Sequence, residues 1–281
     1  MLTVLEVIKR TTEFLEKRGV ESARLNAECL LGHALGLPRM QLYLQFERPL
    51  TEAELERIRP LVRRRGSREP LQYILGAMEF GGVKLKVDRR ALIPRPETEL
   101  LVDLIRQKLP APPPDILDLG TGSGAIALAL ATIFPEARVT AVDSSPEALA
   151  LARENAETAG LGSRIRLVAS DWFKALPADG KFGLIVANPP YLSDAETMAT
   201  AAEVKEFEPR QALSAGVNGA AALELIVGEA GRYLVAGGLL ACETGLGQHA
   251  ALQELAKRSG FVRTESLPDL TGRDRFLLAF R

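Results

Sequence analysis

Apolar residues recur at helical spacing through the first 75 positions, and near Gly76 they give way to short apolar runs of a different rhythm. In the first part, Thr3-x-x-Glu6 and Thr51-x-x-Glu54 have the form of capping boxes, and Gly19, Gly36 and Gly66 stand where helices could stop. The pattern predicts a small helical bundle over residues 1–75. From Phe80 to Val87 the run FGGVKLKV alternates as a short strand or hairpin does, and DRRALIPRPETELLVDLI then leads into an amphipathic helix. Residues 76–92 therefore read as a linker with a β-hairpin, and residues 93–281 as a second, larger domain.

Beyond the proline-rich break PAPPP at 110–114, the segments DILDLG, RVTAVD, IRLVAS, FGLIVAN and GLLACE are short, apolar and bounded by turn signals. Most are separated by helix-length stretches, which predicts a mainly parallel sheet with helices on both faces. FVRTESL and DRFLLAFR lie close enough together to pair as a terminal antiparallel hairpin. The run FGLIVANPPYL, Phe182 to Leu192, ends unusually for a strand, because each proline removes a ladder donor and fixes φ. The strand must stop at about Asn188. The residues beyond it form a rigid loop at a strand's carboxyl end, where open α/β sheets place their ligands.

The first of these sheet segments runs into DLGTGSGAIALALA, in which Gly120, Gly122 and Gly124 allow a sharp turn into a helix and leave room for a ligand near the backbone. Ala125 and Ile126 follow Gly124, so the third glycine falls one residue too early for the dinucleotide pattern G-x-G-x-x-G. The next segment ends in Asp143, where a carboxylate can accept hydrogen bonds from both ribose hydroxyls. In ASDWF, Asp171 and Trp172 could bind an adenine amino group and cover the ring face; a plain core aromatic is the competing reading of Trp172. Together these strand ends point to a nucleoside ligand.

Composition narrows the class without supplying the chemistry. The 281 residues are 47% hydrophobic and 25% charged, as in an ordinary soluble protein, and the N-terminus carries charges from Glu6 onward without a secretory apolar region, so a cytoplasmic location is expected. A formal charge of −1 argues against a general nucleic-acid coat, and RIRPLVRRRGSR, Arg57 to Arg68, reads as a solvated helix face with a local basic patch as the alternative. Cys29 and Cys242 lie far apart in apolar surroundings, and His33 and His249 lack ligand-spaced companions. Neither a disulfide framework nor a metal site is expected.

The ordered set DLGTGSG, AVD, SDW and NPPY resembles the class I S-adenosylmethionine-dependent methyltransferases. More narrowly, EPLQYILGAMEFGG, LIPRPETELLV, LDLGTGSGAIALALA, NPPYL, VKEFEPRQAL and DLTGRDR together resemble the protein-(glutamine-N5) methyltransferases of peptide chain release factors, the HemK/PrmC family, from about residue 69 to the C-terminus. The resemblance implies a seven-stranded, Rossmann-like sheet, mostly parallel with a C-terminal antiparallel strand; the N-terminal helices agree with the family in pattern only, and residues 1–75 are expected to dock the protein substrate. It implies S-adenosylmethionine as cofactor, held by Gly120, Thr121, Gly122, Ser123, Gly124, Asp143, Asp171, Trp172 and Asn188. It also implies a glutamine in a Gly-Gly-Gln loop of release factors as target, and it places Phe80 and the Leu92–Glu99 loop near the reacting groups.

An amide nitrogen is a poor nucleophile, so such an enzyme must orient it and hold charge favourably. Asn188 offers a side-chain carbonyl and Pro189 a backbone carbonyl, two acceptors for the two amide protons, while Pro190 stiffens the loop and Tyr191 packs on the planar amide. No general base or metal is required in this scheme. Two other readings remain at this point: an adenine-N6 or guanine-N2 nucleic-acid methyltransferase, which shares the NPPY solution, and a non-catalytic binding adaptor. The low aromatic content, 5%, and the mild negative charge disfavour the first, and the intact NPPY run disfavours the second.

Overall fold

The computed structural model describes residues 1–109 and 111–281; Pro110, in the proline-rich break, lies outside the described residues. The chain divides into two compact units, Met1–Ala77 with Ala201–Phe207, and Met78–Thr200 with Glu208–Arg281. Residues 201–207, read from sequence as part of the larger domain, group with the N-terminal one.

The N-terminal unit contains α1 (Val4–Lys17), α2 (Ala23–Leu35), α3 (Arg39–Tyr43), α4 (Glu52–Gly66) and α5 (Leu71–Leu75). Both capping boxes form: the Thr3 and Thr51 hydroxyls accept from the backbone of Glu6 and Glu54, and those carboxylates accept in return from the backbone of Thr3 and Thr51. Each cap is worth about 1 kcal/mol. Val4, Ile8, Leu31, Leu42, Leu50 and Ile58 form the core between the helices. Gly66 is the last residue of α4 and its role is close approach, since a Cβ there would lie 2.5 Å from Phe14 Cε1.

The arginine-rich run of α4 and the turn after it is heavily paired within this unit. Arg59 meets Glu52, and Arg64 forms a two-pronged contact with Glu69 at 2.8 Å. Arg65 and Arg68 donate to Glu203 of the returning segment at 2.9 and 2.7 Å. Burial pushes the Glu203 carboxyl up, but the Arg68 and Arg65 hydrogen bonds outweigh it and hold the group at about 2. A sequence stretch with the look of a cationic patch is thus largely an internal ion-pair network.

The larger unit begins at Met78, within a two-stranded sheet of β1 (Ala77–Phe80) and β2 (Val83–Lys86). Then come α6 (Pro96–Lys108), β3 (Asp115–Leu119), α7 (Ala125–Ile133), β4 (Arg138–Asp143), α8 (Pro146–Thr158), β5 (Ile165–Ala169), β6 (Phe182–Ala187) and α9 (Asp194–Ala199). After α10 (Ala202–Phe207), which belongs to the first unit, the chain continues through α11 (Ala221–Tyr233), β7 (Leu234–Glu243), α12 (His249–Arg258), β8 (Arg263–Pro268) and β9 (Asp274–Phe280). Among the described residues, seven strands form one sheet in the order β5-β4-β3-β6-β7-β9-β8. The first five in that order run parallel to one another, and β9 runs antiparallel to both β7 and β8.

The order creates the place for a ligand. From β3 the chain winds outward through β4 to β5, then returns to lay β6 on the other side of β3, so the connections leave in opposite directions at β3. The register pairs Leu119 with both Val142 and Ala187, and Asp143 with Ala169. Four strands therefore end nearly level, and their loops open at one edge. Beneath that edge Leu117, Ile185, Leu240 and Leu277 are buried in a common core. Cys242 sits in β7 with its thiol pushed up to about 12 by burial, as an apolar packing residue. No helix among the described residues is long and apolar enough to cross a membrane.

Candidate active site

The loop after β3 is held by its neighbour. Gly120 and Thr121 both donate backbone N–H groups to Val142 O at 2.9 Å, which folds the loop over the end of β4. Gly122 takes φ +56°, a left-handed conformation that a side chain would strain, and this turns its N–H onto Asp143 Oδ2 at 2.9 Å. The other carboxylate oxygen of Asp143 accepts the Ser145 N–H, also at 2.9 Å. Each oxygen retains acceptor capacity beyond its backbone partner. Behind the loop, Asn155 donates to Ser123 O at 2.9 Å, and the Ser145 hydroxyl caps α8.

Asp118, wholly buried at the end of β3, accepts the Thr121 hydroxyl at 2.6 Å. Burial raises its carboxyl to about 7, against the hydrogen bond from Thr121. Trp172 is one of three non-glycine residues with positive φ among the described residues, at +51°. That costs an aromatic residue conformational energy. The conformation is held by Ser170, whose hydroxyl donates to Trp172 O at 2.7 Å and accepts from Ala175 N at 3.0 Å. The indole lies against the glycine loop, 3.4 Å from where a Cβ on Gly120 would be, and also packs on the core. Asp171 is exposed and pairs with Lys174 at 2.5 Å.

Strand β6 ends at Ala187, and Asn188 comes next with its Nδ2 donating to the Thr98 hydroxyl at 3.0 Å. Thr98 donates in turn to Glu243 Oε2 at 2.7 Å, and the Tyr191 hydroxyl donates to Glu243 Oε1 at 3.0 Å. Burial raises the Glu243 carboxyl, with the Thr98 and Tyr191 hydrogen bonds and the Arg275 charge acting the other way. The Tyr191 hydroxyl is also raised, by burial first and then by the Glu243 charge. The Tyr191 ring packs on the core beneath the sheet edge, with the Arg275 guanidinium 5.4 Å from its centroid.

One cavity is lined by Gly120, Thr121, Gly122, Ser123, Asp143, Asp171, Trp172, Asn188 and Pro190. Gly124, the N-cap of α7, the buried Pro189 and the half-buried Tyr191 stand outside this lining. The Leu92–Glu99 loop contributes Leu92, Pro94, Arg95 and Thr98, whereas Phe80 is fully buried and outside the lining. Glu208, 6% exposed, holds that loop by accepting from Ile93 N at 3.0 Å and from Arg95. Glu99 accepts from Gly81 N at 3.0 Å and so ties the start of α6 to the β1–β2 turn. Acceptors aimed by backbone donors, a loop without side chains at its closest approach, and an adjacent indole suit a ligand with a ribose and a planar ring.

Sequence reasoning passed over Thr98, Glu208 and Glu243. Glu243 carried one usable signal, an acid at the carboxyl end of an apolar strand, as at Asp143. Thr98 carried no signal of its own, since between Glu97 and Glu99 it reads as part of a helix start, although the loop that contains it was expected near the reacting groups.

Residues 6–76 match the family model described as PrmC N-terminal domain, and residues 96–216 the one described as Methyltransferase small domain. The chain is 44% identical over 273 residues to a release factor glutamine methyltransferase of Geobacter sulfurreducens, covering 97% of this chain and 95% of that protein. It is 43% identical over 284 residues to the same-named protein of Chlorobaculum tepidum, covering 98% and 96%. A methyltransferase crystal structure from Pyrococcus furiosus matches with a TM-score of 0.53 at 20% identity, over 71% of this chain and 89% of that one, a likeness of fold.

Proposed function

Because the chain belongs to the release factor glutamine methyltransferase family, we propose that it transfers a methyl group from S-adenosylmethionine to the side-chain amide nitrogen of the glutamine in the Gly-Gly-Gln loop of peptide chain release factors. The observation that carries this reading is the Asn188 side chain on the cavity wall, its Nδ2 committed to Thr98 and its Oδ1 left as an acceptor, at the same sheet edge as the glycine loop and Asp143. Bound S-adenosylmethionine supplies a methyl group already activated by the positive charge on sulfur.

The residues of the chain then have to bind, orient and shield. Asp143 accepts from the ribose hydroxyls with the capacity left beside Gly122 and Ser145. The Trp172 indole covers one side of the adenine, and the backbone of Gly120–Gly122 allows close approach. Asn188 Oδ1 and the Pro189 carbonyl accept the two protons of the target amide, which turns the nitrogen lone pair toward the methyl group. Both acceptors sit on a loop stiffened by Pro189 and Pro190, so little reorganisation accompanies transfer. Tyr191, its hydroxyl fixed on Glu243, packs on the planar target amide and excludes water. After transfer the nitrogen releases one proton to water.

The N-terminal helical unit is assigned to docking of the protein substrate, in a cytoplasmic enzyme. Intact release factor should accordingly exceed a short glutamine peptide in kcat/KM. The decisive experiment is methyl transfer from labelled cofactor to purified release factor, DNA and ribosomal RNA in parallel, followed by mass spectrometry of the release-factor peptides. One methyl group on the glutamine of the Gly-Gly-Gln peptide is expected, and label in nucleic acid alone would overturn the assignment.

A further inference from the structure

A terminal amide is nearly symmetric in shape, so the end of Asn188 that faces the cavity is decided by its partners. Its partner is Thr98, 3% exposed, and behind Thr98 stands Glu243, 1% exposed, at the end of β7 beside β6. A carboxylate only accepts. It takes the Thr98 proton on one oxygen at 2.7 Å and the Tyr191 proton on the other at 3.0 Å. Burial raises the Glu243 carboxyl and opposes its ionisation, while the two hydroxyl donors and the Arg275 charge act the other way; the geometry, one hydroxyl on each oxygen, is that of an accepting carboxylate. With its proton committed to Glu243, the Thr98 oxygen offers Asn188 lone pairs alone, which match an NH2 group and repel a carbonyl.

We infer that Thr98 and Glu243 are positioning residues that set the polarity of the Asn188 amide, holding Nδ2 to the wall and presenting Oδ1 to the substrate. The inference rests on the proposed amide chemistry, and it gives that chemistry a definite hydrogen-bond direction running from Asn188 through Thr98 to Glu243. A reversed Asn188 would present donors to a target that itself brings two donors, and the acceptor needed in the transition state would be missing. The three residues come from the start of α6, the end of β6 and the end of β7, so each strand or helix end contributes one link. Tyr191 completes the set by occupying the second oxygen of Glu243, leaving that oxygen's neighbour to Thr98.

Thr98→Val keeps the shape of the side chain and removes the hydroxyl. It is expected to slow single-turnover methyl transfer by roughly 10- to 100-fold, with cofactor affinity changed by less than about twofold, while Thr98→Ser restores transfer to within a few-fold. A second readout stands apart from activity. The side-chain NH2 signals of Asn188 in a proton–nitrogen correlation spectrum, assigned by their loss in Asn188→Ala, should move in Thr98→Val and Glu243→Gln and stay near their original positions in Thr98→Ser. Unmoved Asn188 signals in Thr98→Val, or a Thr98→Ser protein as slow as Thr98→Val, would overturn the positioning role. Absence of transfer to release factor by the unaltered protein would instead strike the functional assignment, and the spectra would still decide the amide polarity.

Discussion

The Asp143 carboxylate accepts the Gly122 backbone N–H at 2.9 Å, so the proposed ribose acceptor and the glycine loop are set by one hydrogen bond. The Ser145 N–H occupies the other oxygen at the same distance. Asp143→Ala should weaken S-adenosylmethionine binding by about 1.5–3 kcal/mol, the scale of a lost charge-assisted hydrogen bond. Asp143→Asn should lose nearly as much, because its NH2 group must face one of two backbone donors. Calorimetric titration measures both, and unchanged affinity in Asp143→Ala would remove Asp143 from the site.

Gly66 and Phe14 make a stability prediction in the N-terminal unit. A Cβ at 66 would meet Phe14 Cε1 at 2.5 Å and Cζ at 2.8 Å, so Gly66→Ala should cost about 1–3 kcal/mol through overpacking. In a Phe14→Ala background the clash is gone, and the same change should be neutral or stabilising by about 0.5–1 kcal/mol, the helix preference of alanine over glycine. Denaturant midpoints of the four proteins test this. An equal loss in both backgrounds would show that backbone conformation, not Phe14, requires the glycine.

Asp118 gives a pH dependence with a definite sign. Its folded carboxyl lies near 7, above the ordinary 3.8, so the folded state retains a proton that the unfolded state loses over that interval. Stability from this group is therefore full below the unfolded value, falls as pH rises toward 7, and stays reduced above it. Asp118→Asn keeps an acceptor for the Thr121 hydroxyl without the buried charge. It should stabilise the protein at pH 8 by about 1–3 kcal/mol, with the gain shrinking as the pH is lowered toward about 4. A gain independent of pH, read from unfolding curves at several pH values, would contradict this origin.

Much of the sheet was legible because its boundaries are written in residues with few conformational options. Prolines after Asn188 stop β6 at Ala187, and the capping threonines mark where α1 and α4 begin. The terminal β8–β9 pairing could be expected from proximity in the chain. Gly66 was legible as the place where α4 stops, but the reason that a glycine is needed there, the approach of Phe14 across the bundle, was not. Glu203 could not be assigned to the N-terminal unit from pattern, since its arginine partners are 135 or more residues away. The candidate site divides in the same way. The glycine loop and Asp143 announce themselves locally, but Thr98 and Glu243 meet across 145 residues of sequence, and only the folded sheet brings them to Asn188.

The proposed chemistry turns most directly on Asn188, which should serve methyl transfer far more than cofactor binding. The measurement is single-turnover methyl transfer to release factor by Asn188→Ala, made beside cofactor binding by the same protein. Cofactor affinity is expected to change modestly while transfer slows by roughly two to three orders of magnitude, the scale of one lost preorganised transition-state hydrogen bond. Asn188→Asp should not recover full activity, since a carboxylate places a charge in the cavity and cannot donate to Thr98 as the amide does. Transfer by Asn188→Ala at the unaltered rate would mean that the segment after β6 is only a turn, and would contradict the mechanism.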